Sequence, residues 1–208
     1  MVSKEAASPP VGKREQNKLE KRERIREAAE RLFTKQGYEA TTTRQVADEA
    51  EVASGTIFLY ARDKEDLLFL VMHERLRRTI DEAFASVPRR ARLVEGWVHV
   101  FRAIFAMYGK HAPLALPFVR LVPGARGLNA DLVNALTFAF VQRLALQVQE
   151  AQGRGEVRAD VDPAHAAITV FGLYFAALMS WLSGFAPIEQ LPEDLERTLE
   201  LLFRGLRR

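Results

Sequence analysis

The 208-residue sequence predicts an all-α fold. Three observations carry that expectation. Apolar residues recur every three or four positions through most of the chain, no stretch sustains the period-two alternation of a half-buried strand, and proline or glycine punctuates the periodic runs at helix-length intervals. An apolar share of 48% is ample for a sizeable core in a chain this long. There is no cysteine, which excludes disulfides and thiolate metal sites and fits a reducing, cytoplasmic setting.

Ser8, Pro9, Pro10 and Gly12 leave the start of the chain poor in apolar content, and residues 1–16 are expected to form a flexible tail without the apolar core of a secretory signal. A first helix is expected over 17–36. Ile25, Ala28, Ala29, Leu32 and Phe33 line one face, and Gly37 stops it. Two short helices follow, at 43–50 and 54–60, and then a longer one from Asp63 to about Val87, ended by Pro88. Further helices are expected at 89–110, 113–121, 129–153, 163–185 and 192–206. The breaks fall at Pro113, Pro123-Gly124, Gly127, Gly153 with Gly155, Pro163, Pro187 and Pro192. Asp162-Pro163 combines a cap with proline at the first helical position, a strong start signal.

The segment from Thr41 to Leu68 carries the most information. Thr42 followed by Gln45 fits a capping box. Val46, Ala47, Val52 and Ile57 fall at the inward positions of a helix-turn-helix, with Ala47 small where two helices cross steeply. Just upstream, Lys13, Arg14, Lys18, Lys21, Arg22, Arg24 and Arg26 face only Glu15, Glu20 and Glu23, so this stretch is net +4 in a chain that is +3 overall. Such a basic start suits contact with phosphates, and equally a solvated helix face laced with charge.

Taken together, Gln36-Gly37-Tyr38, Ala40-Thr41-Thr42, Arg44-Gln45-Val46-Ala47, Ser54-Gly55-Thr56, Tyr60 and Asp63-Lys64-Glu65-Asp66-Leu67-Leu68 resemble the TetR family of transcriptional regulators over roughly residues 17–70. The resemblance implies a three-helix DNA-binding domain over 17–63 and a larger ligand-binding and dimerisation domain over 64–208. It makes 54–60 the recognition helix, lying in the major groove of double-stranded DNA. Ser54 and Gly55 would open that helix. Phe58 and Leu59 match base-facing positions and suit thymine methyl groups, and Arg44 matches a position that reaches a guanine edge or a phosphate. Thr42, Thr43, Thr56, Tyr60 and Lys64 match phosphate-gripping positions. The sequence departs from the pattern in two places. Glu51 stands where the turn usually carries glycine, and Ala61-Arg62 replaces the usual aromatic and proline.

By the same resemblance, the helices near 163–185 and 192–206 pair with their copies in a homodimer that reads a palindromic operator, acting as a repressor released by an apolar or aromatic effector. The segment 164–186 carries no formal charge and is long enough to span a bilayer, but a helix buried in the dimer is the favoured reading. Control by a partner protein, with no small-molecule effector, is the other alternative. Candidate pocket residues are Trp97, Phe101, Arg102, Phe105 and Tyr108 on one helix, with Phe118, Phe138, Phe171 and Tyr174 on its neighbours. An aromatic stripe at helical spacing also serves as plain core, and both readings stay open. His73, His99, His111 and His165 have no metal-ligand spacing, no catalytic motif is found, and neither enzyme activity nor a cofactor is expected.

Overall fold

The computed structural model describes residues 12–206. Among them no strand forms, and the chain runs through eight α-helices and one 3₁₀ segment. α1 (Lys13–Gln36), α2 (Thr43–Glu49) and the 3₁₀ segment Ser54–Leu59 make the N-terminal unit. α3 (Lys64–Ala85), α4 (Leu93–Lys110), α5 (Ala112–Leu121), α6 (Leu128–Gly153), α7 (Pro163–Leu182) and α8 (Leu191–Leu206) make the body. The first helix begins four residues before the expected 17, so the proposed tail is shorter than 1–16. Glu15 in the first turn favours the earlier start, as an acidic group does near a helix N-terminus. The remainder of the expected tail, residues 1–11, lies outside the described residues.

In the N-terminal unit, Ile25, Ala28, Ala29 and Phe33 of α1 close over Val46 and Ala47 of α2 and Ile57 of the 3₁₀ segment, all without solvent exposure. Val52 is only partly buried at the rim of this cluster. The capping box is formed: the Gln45 backbone N–H donates to Thr42 Oγ1 at 3.2 Å, and the Thr42 N–H donates to Gln45 Oε1 at 2.9 Å. After α2 the chain turns through Glu51, the one described non-glycine residue with positive φ, at 54°. The left-handed conformation usually given to glycine is therefore present, carried by a glutamate.

In the body, α3 runs the length of the bundle and packs on α4, α5 and α6, while α7 lies against α6 and α8. α4 starts at Leu93 rather than 89. Pro88 to Ala91 instead closes a turn, and Glu95 reaches back 3.0 Å to the Arg92 N–H. α7 ends at Leu182, where Ser183 and Gly184 take over its last carbonyls. By length and composition α7 is able to cross a membrane, with mean hydropathy 1.5 over an 18-residue window. Its Ala166, Ala167, Val170, Tyr174 and Leu178, however, are buried within the bundle, and it packs there as one helix among six.

Candidate nucleic-acid interface

The geometry of the Ser54–Leu59 segment decides what it presents. A 3₁₀ turn has three residues, so side chains stack in three rows along it. Ile57 and Tyr60 share the inward row: Ile57 is fully buried and Tyr60 is 8% exposed. Gly55 and Phe58 form a second row, Thr56 and Leu59 a third, and both face out. Phe58 is 58% exposed and Leu59 71%, which is unusual for two adjacent large apolar side chains in a soluble chain. The segment was expected to be an α-helix over 54–60. Its Ser-Gly-Thr opening explains the tighter form, since none of the three is a strong helix former and the first turn closes by a short Thr56 N–H to Ala53 carbonyl bond of 2.7 Å.

Arg44, Thr42, Ser54 and Gly55 are exposed beside this surface, and Thr43 and Thr56 are half-buried. Tyr60, expected as a phosphate contact, is 8% exposed. Its ring follows Ile57 into the core at the end of the segment. Lys64 also does more than stand at a surface. Its ammonium donates to the carbonyls of Tyr38 (3.2 Å) and Glu39 (3.1 Å) and sits over the Tyr38 ring. Burial, aided by Glu65, Glu39 and Asp63, pushes the Tyr38 hydroxyl up to about 12, so the ring stays neutral beneath that cation.

The basic run of α1 is divided. Lys13, Arg14, Lys18, Lys21 and Arg24 are exposed, whereas Arg26 is drawn inward, 2.5 Å from both Glu23 and Glu30. Glu30 in turn meets Arg75 of α3, whose Nη1 lies 2.6 Å from His111 Nε2 at the cap of α5. This network, which charge counting did not anticipate, fastens α1 to the body. The spacing of Arg26, Glu30 and Glu23 along one helix face was the available signal.

The residues proposed for a pocket divide in the same way. Trp97, Phe101, Phe105, Tyr108, Phe118 and Tyr174 are all buried. Phe101 stacks on Tyr174 at 4.9 Å between centroids, and Phe105 and Phe171 flank Tyr174 at 5.5 and 5.8 Å. These rings fill the space between α4 and α7. Phe138 and Arg102 do not join them. Phe138 is 65% exposed because its position on α6 faces away from the bundle, and Arg102 pairs with Glu196 of α8 at the surface, 3.3 Å apart. Burial raises the Tyr108 hydroxyl to about 12 and the Tyr174 hydroxyl well above its ordinary value. Among the described residues, no group of three or more histidine or acidic side chains is gathered as a metal site.

Residues 25–71 match the family described as bacterial regulatory proteins, tetR family. The chain is 41% identical over 80 residues to the HTH-type transcriptional regulator HbdR of Aromatoleum sp. (strain CIB). That match covers 38% of this chain and 32% of HbdR. It is 25% identical to the fatty acid metabolism regulator protein of Bacillus subtilis (strain 168), over 88% of this chain and 93% of the relative. Among solved structures, Thermus thermophilus FadR, a TetR family transcriptional repressor in complex with lauroyl-CoA, superposes with a TM-score of 0.72 at 28% identity. That match covers 90% of this chain and 96% of the other. With its N-terminal helix-turn-helix and all-helical body, this chain is a DNA-binding transcriptional regulator of the TetR type, its family match lying in residues 25–71.

Proposed function

We propose that the chain is a cytoplasmic repressor that binds a palindromic operator as a homodimer and releases it when a small apolar effector enters the body. The carrying observation is the outward pair Phe58 and Leu59, held rigidly from behind by Ile57. Apolar groups so placed suit thymine methyls in the major groove, with Arg44 beside them for a guanine edge or a phosphate. Thr42, Thr43, Ser54, Thr56 and Lys64 surround them as phosphate contacts. Two carbonyls take two of the three donors of the Lys64 ammonium, and the exposed Glu39 carboxylate, 3.8 Å away, is the group a phosphate would displace.

The dimer reading is supported by the outer faces of the last two helices, where Ile168 of α7 and Leu201 of α8 are exposed. The effector reading is supported by the aromatic filling between α4 and α7, and by the lauroyl-CoA bound to the Thermus thermophilus relative. We assign the effector to the fatty acyl-CoA class. Because Phe101, Phe105 and Tyr174 already touch one another, an acyl chain must part them, so binding and a change of helix positions go together.

Fluorescence anisotropy tests this. Genomic fragments enriched by the protein are titrated at two salt concentrations, with wild type, Phe58→Ser and Arg44→Ala, and then with lauroyl-CoA added. Tight, salt-dependent binding that both substitutions weaken and lauroyl-CoA reverses is the expected result. Binding unaffected by either substitution would refute the interface. Binding unaffected by lauroyl-CoA would refute the effector class.

A further inference from the structure

Asp66 and Asn129 are two of the three buried polar residues among those described, 1% and 2% exposed. Asp66 lies in the first turn of α3 and Asn129 in the first turn of α6. The backbone N–H of Asn129 donates to Asp66 Oδ1 at 2.9 Å, and that of Arg62 donates to Oδ2 at 2.9 Å. The side-chain amide of Asn129 then donates to the carbonyl of Tyr60 at 2.8 Å. Tyr60 is the residue that closes the recognition segment. The start of α6 therefore grips the end of that segment although 69 residues separate the two partners.

The approach depends on Gly127, the residue before α6. Its φ of 141° is a conformation that side chains other than hydrogen rarely permit, and a Cβ there would stand 2.8 Å from Asp66 Oδ1. An acidic group at a helix N-terminus is favourably placed, and buried hydrogen bonds are directional where apolar contacts slide. Three such bonds define a distance and an angle together. Leaving any of these buried groups unpaired is costly, so the joint holds one geometry or breaks.

We propose that Asp66 and Asn129 are positioning residues for DNA binding: they set the angle between the recognition segment and α6, and through it the separation of the two segments in the dimer. The protein thus selects the spacing between operator half-sites through a joint that touches no DNA. This inference rests on the dimeric operator-binding reading above. α6 also packs along α7, so a shift of α6 by an effector is passed to Tyr60 by the same bonds.

The test compares wild type, Asn129→Ala and Asn129→Asp. The first variant removes the tie to Tyr60 while keeping the backbone bond to Asp66; the second keeps the size and turns a donor into an acceptor. Each is titrated on the footprinted operator and on the same operator with one base pair inserted at its centre. Wild type is expected to prefer native spacing by about tenfold or more, since half-site separation is a geometric requirement of two-fold readers. Both variants are expected to narrow that preference to within about threefold. A purely structural role would lower the melting temperature and leave the ratio unchanged, and that outcome overturns the proposal. A second measurement needs no DNA. The chain has no cysteine, so spin labels at Asp48→Cys and Glu150→Cys, in dimers formed with an excess of unlabelled chain, report the distance between the N-terminal unit and α6 within one protomer. A narrow wild-type distribution that broadens in Asn129→Ala supports the joint, and equal distributions overturn it. If wild type binds no DNA at all, the operator reading fails while the label distances still decide whether the joint fixes the angle.

Discussion

The ammonium of Lys64 stands 4.5 Å from the centroid of the Tyr38 ring and 3.2 Å from the carbonyl oxygen of the same residue. One cation thus holds both the face and the backbone of the turn that joins α1 to α2, from the first residue of α3. Half-buried as it is, Lys64 fastens the N-terminal unit as well as facing the proposed phosphate path. Lys64→Met is expected to cost about 1–2 kcal/mol of stability, combining a cation–π contact with charge-assisted hydrogen bonds. Chemical denaturation measures that loss. DNA titrations at two salt concentrations should show a reduced salt slope alongside it, and a stability loss with an unchanged slope would confine Lys64 to the structural role.

Two aromatic substitutions separate core from surface. Phe101 is buried against Phe140 and Tyr174, and Phe101→Ala is expected to destabilise by about 3–5 kcal/mol. Phe138, exposed on α6, should change stability by less than about 0.5 kcal/mol when replaced by alanine. Urea midpoints for the two variants decide the matter. Equal losses would mean that Phe138 is covered in the solution assembly.

The histidines predict a pH dependence. Burial is the main cause that holds both His73 and His111 below their ordinary value, with Arg75 and Lys110 adding to it at His111. The folded state therefore resists protonation at these rings while the unfolded chain accepts it at about pH 6.5. No penalty exists above that pH. As pH falls below it the unfolded state binds more protons, and stability declines. Denaturation midpoints between pH 7.5 and 5.5 should fall, and His111→Gln should flatten part of the decline. That window stays clear of Glu23 and Glu74, whose arginine partners lower them further still, so their loss comes only at lower pH.

Glu51 occupies a left-handed conformation with no compensating bond from its own side chain among the described contacts. Glu51→Gly should raise stability by up to about 1 kcal/mol, the left-handed cost for a side chain less the extra freedom glycine gains when unfolded. Thermal melting reads the difference. A loss instead of a gain would mean that the carboxylate contributes elsewhere in the assembly.

Helix number and order were legible because periodic apolar runs and their breakers act locally. Thr42-Gln45 and Asp162-Pro163 announced their helices through bonds that span two or three residues, and both appear. The conformation at Glu51 was legible because the turn demanded it whatever residue stood there. Phe138 was misjudged because periodicity places residues on a face without saying which neighbour covers it. The joint between Asp66 and Asn129, and the network of Glu30, Arg75 and His111, were invisible for another reason. Each pairs residues dozens of positions apart, and a lone buried aspartate or asparagine leaves no pattern along the chain.

The division of labour in the Ser54–Leu59 segment bears on how such proteins diversify. Ile57 and Tyr60 anchor it, while Phe58 and Leu59 touch little of the protein that bears them. Mutations at 58 and 59 therefore meet almost no resistance from folding, and descendants of a duplicated gene can acquire new targets there without first acquiring compensating changes. Inheritance of the scaffold and drift of the address are written into neighbouring positions of one short turn.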